Sequence, residues 1–318
     1  MAPDRLSGQP PFAFAHRGDL STLPPAAQAQ EVNLHGGFAV DPRPGHRQIY
    51  YGMPGCGILR VEPDLRRQEI IRLPNNLGDL NFHSTKIGQF DGKWRLFLPA
   101  NDGELVAVVT PEGAVDFILP RPVFEEYQAP EVPYKPTDTL LVGGELLIAD
   151  GYGANYISAV DVATQRWTGL FGGKTESPTE NGKFGTAHGL NFNPVHHHLD
   201  IADRPHSRIQ AHGTDGHFIG SYQLPTGAWP CGISYAEYKG RWYAAIGCLL
   251  DPEEGRPAPI YILDAQSYEL LSIIRPKEEL GVALAQHLHN VLFYSHGGQL
   301  YLVCQSWNPG HYFVLQAA

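Results

Sequence analysis

The chain is expected to be all-β: a six-bladed β-propeller whose ring is closed by an N-terminal strand. Three observations lead there. Turn residues recur along the whole length, a strand–turn–strand unit repeats six times, and one apolar N-terminal strand is left without a unit of its own. Glycine and proline together make 62 of the 318 residues, near one in five against about one in eight in ordinary chains. Breaks that frequent leave no room for long helices. With 42% hydrophobic and only 18% charged residues, the chain has the opposite balance from a disordered one.

Each repeat starts on a polar residue, continues into a short strand, turns, and returns through a strand rich in β-branched or aromatic residues. The copies are HGGFAVDPRPGHRQIYYG from His35, HSTKIGQFDGKWRLFLPA from His83, DTLLVGGELLIADGYG from Asp138 and HGLNFNPVHHHLDIADRP from His188. Two looser ones are CGISYAEYKGRWYAAIGC from Cys231 and HNVLFYSHGGQLYLVCQS from His289. A third strand follows, such as ISAVDV or RIQAHG, and usually a fourth such as FIGSYQL. The starts lie 48, 55, 50, 43 and 58 residues apart, the length of a four-stranded propeller blade. The last unit has only 30 residues, enough for three strands. PFAFAH, residues 11–16, therefore supplies its outer strand and closes a single domain spanning 1–318. A β-sandwich or a pair of β domains is the competing architecture.

Net charge is −10 and no Lys/Arg run exceeds two residues. That excludes a nucleic-acid footprint and an anionic-lipid surface. The start, MAPDRLSGQPP, has no signal-peptide core, and no later stretch reaches 18 apolar residues, so a soluble, cytoplasmic protein is expected. Cys56, Cys231, Cys248 and Cys304 are scattered without a CxxC pair, as suits buried thiols in a reducing compartment.

In a propeller the first strand of each blade lines the central channel. The matched first positions are His35, His83, Asp138, His188, Cys231 and His289. Four of the six are histidine, where histidine is 15 of 318 residues overall. His83, His188 and His289 open blades two, four and six, so threefold symmetry brings them to one point. Three neutral imidazoles with one side open is the layout of a catalytic metal centre, with Zn²⁺ the best fit and Fe²⁺ or another first-row ion the alternatives. A structural Ca²⁺ is the other ion considered. His35 and Asp138 are expected to orient the ligands. The plain reading is a polar channel mouth whose histidines bind water. His196, His197 and His198 fall at a strand-to-strand turn and read as solvated rather than ligating.

At these residues the sequence resembles the peptidyl-α-hydroxyglycine α-amidating lyase family, an NHL-repeat-like six-bladed propeller. The resemblance is densest from Lys135 to Gln210, in KPTDTLLVGGELLIADGYGANYISAVD and FGTAHGLNFNPVHHHLDIADRPHSRIQ. Elsewhere it rests on blade spacing and the two outer histidines. It implies that His83, His188 and His289 hold zinc, that Tyr152 in DGYG is the catalytic base, and that Arg204 in ADRP is an active-site cation. The separations of 36 residues from Tyr152 to His188 and 16 from His188 to Arg204 look like the family's. The alternatives are a buried structural tyrosine for Tyr152 and a salt bridge to Asp203 or Asp150 for Arg204. Asp150 and Asp203 themselves read as turn-formers.

Several positions depart from the family. Gly153 stands where it has a cysteine, Pro205 and His206 where it has Glu and Asn, and His287 where it has a methionine before the last zinc histidine. Its blade-one arginine has no counterpart in YYGMPGCG. The family's tetrapeptide HRGD occurs at His16–Asp19, before blade one, so Arg17 either reaches the site from the closing strand or lies in a surface turn. His35, Asp138, His206 and His287 are candidates for contacting ligands or substrate. The expected activity is metal-dependent cleavage of an N–C(OH) bond in a small-molecule or peptide C-terminal substrate. A hydratase, isomerase or lyase for another small hydroxylated metabolite is one alternative. A non-catalytic NHL-type binding propeller is the other.

Overall fold

The computed structural model describes residues 5–74 and 76–318. Six four-stranded sheets follow one another along the chain, every pairing antiparallel. Among the described residues, the only helical pieces are two 3-10 turns and one four-residue helix. The innermost strands are Gly36–Val40, Lys86–Phe90, Asp138–Val142, Ala187–Asn193, Pro230–Tyr238 and Leu288–His296. These lie close to the starts read from the repeat. Strands run outward in chain order in every blade but the sixth, whose outermost strand comes from the N-terminus. That strand, Phe14–His16, pairs Phe14 with Ala317 and His16 with Leu315. Phe12 and Phe14 are fully buried between blades five and six, against Tyr243, Ile260 and Phe293. The fold is therefore the propeller that the repeats predict.

Four of the blades join their first two strands by a two-residue hairpin. The turns are Asp91–Gly92, Gly143–Gly144, Lys239–Gly240 and Gly297–Gly298, and both residues of each have positive φ. This is the primed turn whose twist matches that of the strands, and Asp-Gly and Gly-Gly adopt it at least cost. It puts every such hairpin on one face and leaves the opposite face to the longer loops that carry DGYG and ADRP. Middle strands are buried on both sides, as in Ile260–Asp264, while outer strands such as Phe218–Gln223 are largely exposed.

The inner strands expose one main-chain edge to the channel, where no further strand can pair with it. Side chains do so instead, at all six junctions. Thr85 Oγ1 donates to the Gly36 carbonyl at 2.5 Å, and the Ser84 hydroxyl donates to the Asp138 carboxylate. The Leu190 N–H donates to Asp138 at 2.8 Å, and the Asn191 amide donates to the Ile233 carbonyl at 2.7 Å. The Phe293 N–H donates to Ser234 Oγ at 3.0 Å, and the Asn290 amide donates to the His35 carbonyl at 2.9 Å. Together they wall an axial cavity of ≈ 270 Å³. Among the described residues no helix is long and apolar enough to cross a membrane.

Candidate active site

His83, His188 and His289 meet at the mouth of the channel. Their ring centroids form a nearly equilateral triangle with sides of 4.7, 4.6 and 4.8 Å, and one ring nitrogen from each lies within 4.8 Å of the others. All three are at most 2% exposed, and burial holds each ring well below the ordinary histidine range, so they are neutral. His83 Nδ1–H donates to the Thr137 carbonyl at 2.8 Å, which leaves Nε2 unprotonated and facing inward. His83 Nε2 and His289 Nε2 have no hydrogen-bond partner, while the His188 ring lies between the Cys231 carbonyl and the Tyr152 hydroxyl. Buried imidazole nitrogens without partners are costly, and an ion would satisfy them. The donor set fits a first-row divalent metal. His289 Nδ1 lies 2.8 Å from the Asn290 amide nitrogen, which also donates to the His35 carbonyl at 2.9 Å; ligation through Nε2 would leave the ring proton on Nδ1, and the amide would then turn its oxygen toward it and give up the His35 bond.

Tyr152 and Arg204 stand over one side of this triangle. Tyr152 Oη is 3.2 Å from His188 Nε2, and Arg204 Nη1 donates to that oxygen at 2.8 Å. Burial pushes the Tyr152 hydroxyl up and the Arg204 charge pulls it back. Arg204 is 4% exposed, yet it forms no ion pair with Asp203 or Asp150. Its Nη2 meets the Cys231 thiol at 3.1 Å, and its Nε has no partner. Burial raises Cys231 and the guanidinium opposes it. A buried guanidinium without a carboxylate is expensive unless something anionic comes to it. Cys231, recognised in the sequence only as a register position, thus belongs to the site. The matched register of the six blades was the signal for it.

The two aspartates lie elsewhere. Asp203 accepts from Arg208 Nε at 2.8 Å and from the Gly185 N–H at 2.8 Å. Asp150 accepts from the Lys135 and Ala154 N–H groups and from the Tyr127 hydroxyl. The Asp150 carboxylate also explains the glycine in DGYG, since a Cβ at Gly153 would overlap it.

His35 stacks on His83 at 5.3 Å and edge-on to His289 at 4.8 Å, with Trp307 on its other side at 5.2 Å. Burial pushes its ring down to about 4, against the opposing bond to Asn81. Asp138 departs from the expected register: Thr137 supplies the contact to His83, and Asp138 binds Ser84, Leu190 and Lys86 one step further down the channel. His206 stays with Asp203, its Nδ1 at 2.9 Å from that carboxylate. His287 Nδ1 bonds the Leu249 carbonyl at 3.0 Å. Neither of these two is brought against the three imidazoles.

Arg17 is not brought to the site. It follows the outermost strand of blade six, where its guanidinium holds Asp19 at 2.8 Å and meets Gln316. The radius of the blade separates it from the axis. No cluster of carboxylates gathers for a structural calcium among the described residues. Among the described residues the one group of His, Cys, Asp or Glu able to hold an ion is His83, His188 and His289, because buried carboxylates such as Asp41, Asp150 and Asp203 are already bonded by protein donors. His198, expected to be solvated, is buried against Asp200 and Tyr268, while His196 and His197 are exposed.

No family model matches the chain, and no curated protein matches it in sequence. Solved structures match its shape. A gluconolactonase from Xanthomonas campestris aligns over 99% of this chain and 96% of its own, with a TM-score of 0.63 at 12% identity. A streptogramin B lyase aligns over 98% of both chains with a TM-score of 0.56 at 10% identity. A luciferin-regenerating enzyme covers 92% of this chain and 94% of its own, with a TM-score of 0.58 at 14% identity. At such identities the likeness establishes the propeller fold and leaves function to the site itself.

Proposed function

We propose that the protein is a metal-dependent lyase, similar to the peptidyl-α-hydroxyglycine α-amidating lyases, that cleaves an N–C(OH) bond. One observation carries this reading: the buried, carboxylate-free Arg204 bonds the Tyr152 hydroxyl directly beside three convergent buried imidazoles. His83, His188 and His289 would hold a first-row ion, Zn²⁺ before Fe²⁺, which when bound acts as a Lewis acid toward a substrate hydroxyl.

The remaining chemistry falls to the chain. Tyr152 Oη takes the hydroxyl proton as the carbonyl forms and the C–N bond breaks. The departing amide nitrogen then collects that proton from the same oxygen, so one residue serves as base and acid. Arg204 Nη1 stabilises the phenolate between these events, in a site from which burial excludes water. Its free Nε–H faces the remaining anionic demand, a substrate carboxylate or developing oxyanion.

Purified protein loaded with zinc should contain one ion per chain and release glyoxylate and benzamide from α-hydroxyhippurate. Stoichiometric metal without glyoxylate would favour another small hydroxylated substrate, a reading supported by Arg17 lying on the rim and by Arg204 being the one arginine in the site. A protein that takes up no metal would point to an NHL-type binding propeller.

A further inference from the structure

Four of the six junctions around the channel are joined by neutral groups alone: hydroxyls, amides and main-chain atoms. The other two, between blades two and three and between blades three and four, share the Asp138 carboxylate. Asp138, 5% exposed, receives the Ser84 hydroxyl from blade two, its own neighbour's Thr139 N–H at 2.8 Å, and the Leu190 N–H from blade four at 2.8 Å. Lys86 of blade two reaches across the channel to the Leu190 carbonyl at 3.0 Å and to Asp138 at 3.4 Å. The N–H and the C=O of Leu190 are thus both held, one by an anion and the other by a cation, as a neighbouring strand would hold them.

The chain positions pinned in this way flank the imidazoles. Ser84 follows His83, Leu190 lies two residues beyond His188, and Thr137, which precedes Asp138, carries the carbonyl that accepts the His83 Nδ1 proton. We infer that Asp138 and Lys86 form a charged clamp that positions His83 and His188 for the metal. They are positioning residues, touching neither ion nor substrate. The sequence reading expected Asp138 to orient the ligands; the clamp acts through the main chain, and Lys86, which no motif singled out, is half of it. A neutral pair would satisfy the same edge less firmly, because charge-assisted hydrogen bonds are shorter and stronger. His289 has no share in the clamp and is held by Asn290 instead.

This inference rests on the metal-site reading, and the experiment separates the two. The variants are Lys86→Met, Asp138→Asn and the double variant, each measured for Zn²⁺ affinity, thermal midpoint and, in imidazole-¹⁵N-labelled protein, the slowly exchanging Nδ1–H proton of His83. Each single variant buries one charge without its partner and should lower the midpoint. The double variant removes both charges and should recover most of that loss. Its Zn²⁺ affinity should still fall 10- to 100-fold, the usual effect of releasing the groups behind metal ligands, and the His83 Nδ1–H signal should broaden or disappear. A clamp that merely stabilised the fold would see affinity return along with the midpoint, and that result overturns the inference. If the parent protein binds no zinc, the metal reading falls, and the His83 signal decides the clamp alone: unchanged in the double variant, it refutes it; lost, it sustains it.

Discussion

Two clusters in this molecule use the same side chains to opposite ends. Between blades four and five, His198, Tyr235, Tyr268 and Asn193 gather around Asp200, which both tyrosines and the asparagine reach and which lies 3.2 Å from His198 Nε2. At the channel mouth, His83, His188, His289, Tyr152 and Arg204 gather around no carboxylate at all. The first cluster is closed, its donors shared among the Asp200 carboxylate, the Ala265 carbonyl and one another, and it ties two blades together. The second leaves the inward nitrogens of His83 and His289 and a guanidinium N–H without partners. Composition does not distinguish them; the presence of the anion does. Carboxylate-centred knots recur at Asp150 and Asp203, so its omission at the channel mouth is the exception, and the open valences there are what a metal and an anionic substrate would fill.

The comparison can be broken most severely at the open cluster. His188→Ala should abolish both stoichiometric metal and turnover while the chain stays folded; elemental analysis and the glyoxylate assay read the two, and a variant retaining both would remove the metal site from the argument. Next, Cys231→Asp would place the missing carboxylate where a thiol now lies 3.1 Å from Arg204. The closed pair should leave metal content unchanged and lower kcat by about 10²–10³-fold, the size of effect seen when a preorganised charge is withdrawn. Unaltered kcat would show that Arg204 need not be free.

At the closed knots the cost should fall on stability alone. Asp203→Asn takes the anion from Arg208, which is 2% exposed, and should cost about 3–5 kcal/mol in denaturant unfolding. Asp150 gives a pH signature. Burial pushes it up to about 6 despite the three hydrogen bonds it accepts. The folded chain therefore keeps this proton between about pH 4 and 6, where the unfolded chain has lost it, and the stability it contributes at low pH declines as pH rises through that window. Relative to Asp150→Asn, the parent should lose up to about 3 kcal/mol across the window. Asp200→Asn should be the mildest, about 1–3 kcal/mol with zinc affinity unchanged; a change in zinc affinity would mean that the two clusters are coupled.

Much of this was legible beforehand because it is periodic. Hairpin turns such as FDGKW and VGGEL, the spacing of the repeats and the spare strand in PFAFAH each report a local rule of backbone conformation, and local rules survive in one dimension. The register then pointed to His83, His188 and His289, since blade symmetry converts equal positions in sequence into convergence in space. Tyr152 and Arg204 came through resemblance on a short stretch. Arg17 shows the limit of that route: the tetrapeptide HRGD is present, but the outer strand on which it ends lies far from the axis, paired with Asp19. Asp138 shows another, since a shift of one residue exchanges it with Thr137 and sends its carboxylate down the channel.

The sequence by itself determined the six blades, their closure and the three histidines, because each follows from short-range turn chemistry repeated at a fixed interval. Tertiary structure alone decided which polar groups were left unpaired. Whether Arg204 meets an aspartate or a thiol, and whether Lys86 crosses the channel to Leu190, depends on side chains from different blades arriving within about 3 Å of one another. Hydrogen-bond and ionic energies change over fractions of that distance, and no spacing along the chain records it.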